Sequence, residues 1–341
     1  MILAGDIGGT SARLAYFELA AGRLELVRMQ KYASHEYRGL DEILRALVAE
    51  HGLPIEHAAF GIAGPVHHGH VTTPNLPWTV EQSALAQALG IESVWLLNDL
   101  EANTYGIALL GAADFVPLNI GVAEARGNIA VISAGTGLGE AGAVWDGAGL
   151  RPFAGEGGHA DFAARNASEA ELLLYLGKRF SHVSWERVVS GPGLQNIYEF
   201  LRDSGRGTEQ AWVRKRMQDG DPPAVIAEAA VSGRCLLSAQ ALDLFVSLYG
   251  AEAGNLALKV KATGGVYLGG GIAPKIIERL KTPTFMQAFT AKGRMRELVE
   301  RIPVRVILNE DTALLGAARY AALCGGLPDP GLSQPQTPSQ R

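Results

Sequence analysis

Cysteine is nearly absent. The 341 residues hold two, Cys235 and Cys324, far apart in the chain. Two such thiols form neither a disulfide framework nor a zinc cluster, so the expected compartment is the cytoplasm. Basic charge is not in excess either. Lys and Arg number 30 against 35 Asp and Glu, which leaves a net charge of −5 and a pI near 5.9. A nucleic-acid partner demands a basic surface, so none is expected. Apolar runs long enough to span a bilayer are missing, and Met1-Ile2-Leu3-Ala4-Gly5-Asp6 lacks the basic segment that opens a secretory signal. No membrane association is expected. Charged residues are only 19% and apolar residues 48%, which suits a folded globule with a large core. The length exceeds what one core usually organises, so two domains are expected.

Glycine, in contrast, is plentiful, with 42 residues. Two glycine turns are built alike: Gly5-Asp6-Ile7-Gly8-Gly9-Thr10 and Ser133-Ala134-Gly135-Thr136-Gly137-Leu138-Gly139. Each lies between two strand-like apolar runs. Glycine lets backbone N–H groups converge on an anion, and a threonine hydroxyl adds a donor. The pair therefore reads as a phosphate grip, with Asp6 a carboxylate suited to a Mg²⁺ riding on those phosphates. Gly137-Leu138-Gly139-Glu140-Ala141-Gly142 also fits the dinucleotide pattern G-x-G-x-x-G. The residues after it read as a strand and not a helix, which removes that reading.

Three strands in series (Ile2 to Ile7, Ala12 to Glu18, Leu24 to Ala33) precede alternating helices and strands. The pattern predicts a mixed α/β sheet. It restarts at Ile129 to Ile132. Helices are predicted near Leu40 to Val48, Asp99 to Leu110, Glu169 to Arg179, Gly193 to Arg202, Pro223 to Val231 and Pro274 to Leu280, with Cys235 to Val260 a long buried one. Asp311 to Leu323 reads as the last helix. A small α/β domain is expected over 1–110 with 309–324, and a larger one over 111–308. Residues 325–341, with no apolar periodicity, are expected to be disordered.

Asn98-Asp99 falls where a buried strand ends and a helix begins. Ordinary helix capping explains both residues. So does a carboxylate facing the ligand crevice that opens at strand C-termini, where it could take a hydroxyl proton. Gly155-Glu156-Gly157-Gly158-His159 puts an acid and an imidazole on a flexible loop, either plain surface or a seat for a hydroxylated ligand. Glu186 in Glu186-Arg187-Val188-Val189-Ser190-Gly191-Pro192-Gly193 is a helix-end glutamate with no signal of its own. His67-His68-Gly69-His70 looks metal-like, but the bracketing Pro65 and Gly69 favour a solvated hairpin turn.

Taken in order with Leu268-Gly269-Gly270-Gly271-Ile272, these strings resemble the bacterial glucokinase family of the hexokinase and actin-like ATPase superfamily, from Asp6 to about Leu323. The resemblance implies two ribonuclease H-like domains flanking a central cleft. It implies an ATP-dependent kinase that phosphorylates the glucose 6-hydroxyl, with ATP and Mg²⁺ bound and a homodimer as the assembly. It makes Asp99 the general base and assigns the sugar hydroxyls to Asn98, Asp99, Glu156, His159 and Glu186. Phosphates fall to Asp6, Gly8, Gly9, Thr10, Gly135, Thr136 and Gly137, with the Asp6 contact to Mg²⁺ running through water. Gly269, Gly270 and Gly271 fall near the adenosine. Kinases for mannose, fructose or N-acetylglucosamine, and a non-catalytic sugar sensor, share the fold; intact Asp6, Asp99 and both turns argue against the sensor. The Cys cluster that binds zinc in related repressor–kinases is absent, so zinc is not expected. With no helix-turn-helix ahead of Met1, neither is a repressor. Replacing His67, His68 and His70 together by Ala should therefore leave bound zinc, measured by atomic absorption, at background in parent and variant alike. A stoichiometric metal lost in the variant would reverse this reading.

Overall fold

The computed structural model describes residues 1–73 and 76–331. The chain falls into two compact units, one made of Met1–Ala113 and the chain from Asn309 onward, the other of Asp114–Leu308.

In the first unit, β1 (Ile2–Ile7), β2 (Ser11–Ala20), β3 (Arg23–Ala33) and β4 (His57–Ile62) are followed by the short hairpin strands β5 (His70–Thr72) and β6 (Thr79–Glu81), then by β7 (Val94–Asn98). The main sheet runs β3-β2-β1-β4-β7. β1 is antiparallel to β2 and parallel to β4, and β4 is parallel to β7. Alternation along β1 feeds two cores. Leu3 and Ile7 pack with Leu40, Ile43, Leu44 and Leu47 of the helix Leu40–His51. Ile2 and Ala4 pack with Ala102 and with Ala313, Ala317 and Ala321 of the helix Thr312–Cys324. A strand covered on both faces reads as a continuous apolar run, and β1 does.

The second unit repeats the pattern. Its strands are β8 (Phe115–Asn119), β9 (Ile129–Ala134), β10 (Leu138–Trp145), β11 (Leu150–Gly155), β12 (Gly265–Gly269) and β13 (Val304–Ile307), in the order β11-β10-β9-β12-β13-β8. β9 is antiparallel to β10 and parallel to β12, which is parallel to β13. Apart from the edge strand β8, this is the first sheet again. The helix Leu236–Lys259 is buried along most of its length, as its mostly apolar composition predicts. Among the described residues, no single helix is long and apolar enough to cross a membrane.

Several elements differ from their sequence reading. The helix from Asp99 stops at Gly106 and continues as a 3₁₀ turn, Ile107–Leu109. The segment after Gly271 splits into a 3₁₀ turn, Ala273–Ile276, and a single helical turn, Ile277–Leu280. The edge strands β8 and β11, absent from the sequence reading, are short, each broken by a proline, and only partly buried. His68 and Gly69 both take positive φ, 50° and 75°, and His67 and His70 exchange backbone hydrogen bonds of 2.9 and 3.0 Å. That is a two-residue hairpin turn.

Of the expected tail, residues 332–341 lie outside the described residues, and Gly325–Gly331 do not fit disorder. Arg319 Nε and Nη2 donate to Asp329 at 2.8 Å each, the Gly331 N–H donates to the same carboxylate, and Arg319 also reaches the Tyr105 carbonyl. A forked ion pair leaves no apolar periodicity, so a search for periodicity passes over it. Arg319 and Asp329 are only 14% and 15% exposed. Asp329→Ala is expected to destabilise this unit by about 1–3 kcal/mol, since it strips charged hydrogen bonds from a half-buried guanidinium. An unchanged melting temperature would show that the segment contributes nothing.

Candidate active site

Parallel strands deliver their C-termini to one edge of a sheet. In the first unit Ile7 on β1 aligns with Ile62 on β4, and Ile62 with Asn98 on β7. The turn Gly8-Gly9-Thr10 and the pair Asn98-Asp99 therefore leave the same edge, two inter-strand spacings apart, or roughly 10 Å. Asn98 is the N-cap of the helix Asp99–Gly106: its side-chain oxygen accepts from Leu100 N at 2.9 Å, and its amide donates to the Gly64 carbonyl at 3.1 Å. Asp99 Oδ1 accepts from the same Leu100 N–H at 2.9 Å. The capping reading of Asn98 is thus correct. It also fixes the carboxylate of Asp99 at the strand edge.

The helix bearing Asp99 is clamped by close packing. A Cβ on Gly106 would overlap the Thr312 carbonyl oxygen, and one on Gly316 the Ala102 carbonyl oxygen. The two helix backbones touch there, so the Asp99 end has no slack.

Asp6 sits opposite Arg13 in the β1–β2 register. Arg13 Nη2 donates to Asp6 Oδ2 at 2.6 Å and to the Glu310 carbonyl at 2.6 Å, while Nη1 reaches Asp311 Oδ1 at 2.8 Å. Sequence reading assigned Arg13 no role; its only signal was a cation directly after a glycine turn. The arginine holds one oxygen of Asp6, and no group of three His, Cys, Asp or Glu side chains among the described residues could cage a metal ion. A Mg²⁺ that keeps its water and binds mainly through substrate phosphates needs one carboxylate and no cage. The residues present fit that kind of ion.

In the second unit the turn Gly135–Gly137 leaves β9, and Gly269-Gly270-Gly271 leaves its parallel neighbour β12, where Gly269 aligns with Ser133. Gly270 has φ +79°, and a Cβ there would crowd Ser133 Oγ at 2.8 Å. Ile272 N donates to the Ala134 carbonyl at 3.3 Å. The two glycine segments thus adjoin. Thr136 is exposed, and Gly135 N and O are engaged by the Gly137 carbonyl and Gly191 N–H at 2.9 and 2.8 Å.

Glu186 is less free than the sequence suggested. Its Oε2 accepts from Leu138 N at 3.0 Å and lies 2.6 Å from where a Cβ of Gly137 would stand. One carboxylate oxygen is therefore tied to the turn expected to hold phosphate. The short 3₁₀ turn carrying it, Trp185–Arg187, is fastened to the other loop, since Trp185 N donates to the Ala160 carbonyl at 3.0 Å. Glu156 and His159 flank the 3₁₀ turn Gly157–His159, whose Gly158 lies against the Leu138 carbonyl so closely that a Cβ would overlap it. Around the start of β10 the fold thus gathers Gly135–Gly137, Glu156, His159 and Glu186.

A sheet order repeated in two units, with glycine turns at matching strand ends, defines the sugar kinases of the actin-like ATPase fold. The comparisons name the branch. A family model described as Glucokinase matches residues 3–323. Glucokinase of Nostoc punctiforme is 42% identical over 337 residues, covering 94% of this chain and 99% of its own, and that of Yersinia enterocolitica is 35% identical over 318 residues, covering 93% and 95%. The crystal structure of a glucokinase from an Antarctic psychrotroph superposes with a TM-score of 0.82 at 31% identity, covering 94% of this chain and 98% of its own. A ROK family glucokinase from Streptomyces griseus, solved with glucose and AMPPNP, has a TM-score of 0.64 at 22% identity, covering 94% and 99%, a likeness of fold alone. The chain belongs to the glucokinase family.

The two kinds of glycine make a contrast that can be measured. Nothing lies within 4 Å of a Cβ on Gly135, whereas one on Gly158 strikes backbone. Gly135→Ala should change stability by no more than about 0.5 kcal/mol yet raise the KM for ATP, because a methyl then covers the donors of the turn. Gly158→Ala should instead lower the melting temperature by several degrees. An unchanged ATP KM in Gly135→Ala would remove this turn from nucleotide binding.

Proposed function

We propose that the chain is an ATP-dependent glucokinase that moves the γ-phosphoryl group of ATP to the 6-hydroxyl of glucose, with Asp99 as general base. The observation carrying this reading is the β1–β4–β7 register, which sets a carboxylate about two strand spacings from a glycine turn on one sheet edge. Membership in the glucokinase family from residue 3 to 323 supports glucose as substrate, and the AMPPNP complex of the Streptomyces griseus relative supports ATP as donor.

Phosphoryl transfer requires alignment, neutralised charge and one proton acceptor, with little covalent work from the protein. In this reading Asp99 accepts the hydroxyl proton as the oxygen attacks, and the Asn98 cap and the packed helix behind it keep the carboxylate aimed. Gly9, Thr10, Thr136 and Gly137 donate to phosphate oxygens, Gly8 and Gly135 shape the two turns with their own N–H groups bound to the Ser11 and Gly137 carbonyls, and Gly269 to Gly271 leave room for the adenosine. Mg²⁺, when bound, neutralises phosphate charge, and Asp6, itself braced by Arg13, is the residue to hold its water shell. Asn98, Glu156, His159 and Glu186 take the remaining sugar hydroxyls. A sugar missing one of them leaves a polar group unpaired, which is how a site of this kind discriminates.

Asp99→Asn keeps the shape and removes the base, so kcat should fall about 10²–10⁴-fold while calorimetry still records glucose binding. A variant retaining more than about a tenth of the parent kcat would acquit Asp99 of that role. Glu156→Gln should raise the KM for glucose far more than that for ATP, and equal changes in both would dismiss the sugar assignment. A coupled assay with ATP and a panel of hexoses tests the substrate directly: a sugar other than glucose with the higher kcat/KM would rename the activity.

A further inference from the structure

β10 carries one charged residue, Glu140, in an otherwise apolar strand, and the proposed mechanism gives it nothing to do. Its side chain is 2% exposed. The long helix Leu236–Lys259 contributes a second buried carboxylate, Glu252, at 0% exposure. Glu252 is near enough to act on Glu140 electrostatically, and two charges side by side in a dry interior are strongly disfavoured, so one of the pair keeps a proton. The surrounding groups say which. Glu252 accepts from Asn255 Nδ2 at 2.7 Å and Lys259 Nζ at 3.2 Å, as an ionised carboxylate would. Glu140 Oε1 has no hydrogen-bond partner among the described residues. An ionised oxygen buried without a donor is costly and a neutral carboxyl much less so, so the proton belongs to Glu140. Burial and the neighbouring Glu252 push the Glu140 carboxyl up to about 8.

The other oxygen of Glu140 faces the loop that matters. A Cβ on Gly157 would overlap Glu140 Oε2. Gly157 opens the 3₁₀ turn whose flanks are Glu156 and His159. The turn therefore rests on the carboxyl group itself.

We propose that Glu140, as a neutral acid buried against the turn, is a positioning residue that holds the turn Glu156–His159 in its sugar-binding shape. The inference rests on the reading of Glu156 and His159 as sugar ligands. No substrate touches this proton. When it is lost to solvent at high pH, a second buried charge appears within reach of Glu252, Glu140 shifts, and the turn seated on it loses its support. Three other cations bear on the pair: Lys259, already bound to Glu252; Lys292, whose ammonium bonds the Ala251 carbonyl and Asn255 and is brought down to about 8 by burial; and Arg165, which adds to that lowering of Lys292. Lys292 therefore loses charge over the same range and must be separated from Glu140 by experiment. On the turn itself the titratable groups are Glu156 and His159.

The sign for stability follows. The unfolded chain releases the Glu140 proton near the ordinary carboxylate value, while the folded chain keeps it to about pH 8. The folded state binds more protons across that window, so the stability from this group falls as pH rises through it and levels off above.

The test measures kcat and both KM values from about pH 7 to pH 9.5 for the parent, Glu140→Gln and Lys292→Met. In the parent, the KM for glucose should rise more than about threefold towards the alkaline end, with kcat and the KM for ATP changing less. Glutamine is neutral at every pH and has the shape of the protonated acid, so Glu140→Gln should hold its neutral-pH glucose KM throughout, and its melting temperature should fall less with pH than the parent's. Lys292→Met should keep the alkaline rise. Infrared spectra at neutral pH should show a protonated carboxyl band in the parent that Glu140→Gln lacks. A flat parent profile, an undiminished rise in Glu140→Gln, or a parent without that band would overturn the inference. Glu156→Gln separates the two readings: if it leaves the glucose KM unchanged, the sugar assignment fails and this inference with it; if it raises that KM while the parent profile is flat, the inference fails alone.

Discussion

Asp99 stands where it does because two helix backbones touch. The helix Asp99–Gly106 meets Thr312–Cys324 where Gly316 faces the Ala102 carbonyl and Gly106 the Thr312 carbonyl. A methyl at either glycine would wedge the pair apart. Behind this contact Ala313, Ala317 and Ala321 press the last helix onto Ile2 and Ala4, so β1 is gripped from that side while Leu3 and Ile7 are gripped from the other. Interiors packed to crystal-like density transmit small displacements. The turn after β1 and the carboxylate after β7 therefore share one frame, and a general base must hold its place to a fraction of an ångström to work.

The same economy recurs in the second unit. β9 and β12 are parallel neighbours, so their glycine segments emerge side by side, and the start of β10 collects the Glu186 carboxylate and the turn Glu156–His159. Chemistry that asks for alignment more than for covalent intermediates suits such a scaffold, where strand register does most of the placing. Glu186 shows the cost of crowding: the carboxylate we propose for a sugar also serves a backbone N–H of the neighbouring turn.

The doubly covered strands β1, β4, β7, β9 and β12 were legible because each is an apolar run closed by glycine or a polar pair. The strands β8 and β11 were not, since Phe115–Asn119 and Leu150–Gly155 are short, interrupted by proline and only partly buried. Asp6, Asp99 and the glycine turns could be proposed from sequence because each stands where a predicted buried strand ends. The partners of those residues could not. Arg13 is an ordinary exposed-strand residue until Asp311, 298 positions away, is brought to it. Glu140 and Glu252 are single acids in apolar segments, visible as oddities but unreadable as a pair without the fold. Arg319 and Asp329 lie close in sequence, yet nothing periodic marks them.

The first unit is closed by a helix that the ribosome makes roughly 200 residues after the sheet it covers. Residues 114–308 are contiguous and hold a complete core of their own, whereas the sheet face formed by Ile2, Ala4, Ala15, Phe17 and Leu97 awaits the alanines of Thr312–Cys324. During synthesis that face is an uncovered apolar surface for some 200 residues of elongation, or roughly 10–40 seconds at ordinary translation rates. Asp99 gains its rigid backing only when the final helix docks. A chain truncated before that point would carry every residue assigned here to substrate and still lack the wall against which its base is set.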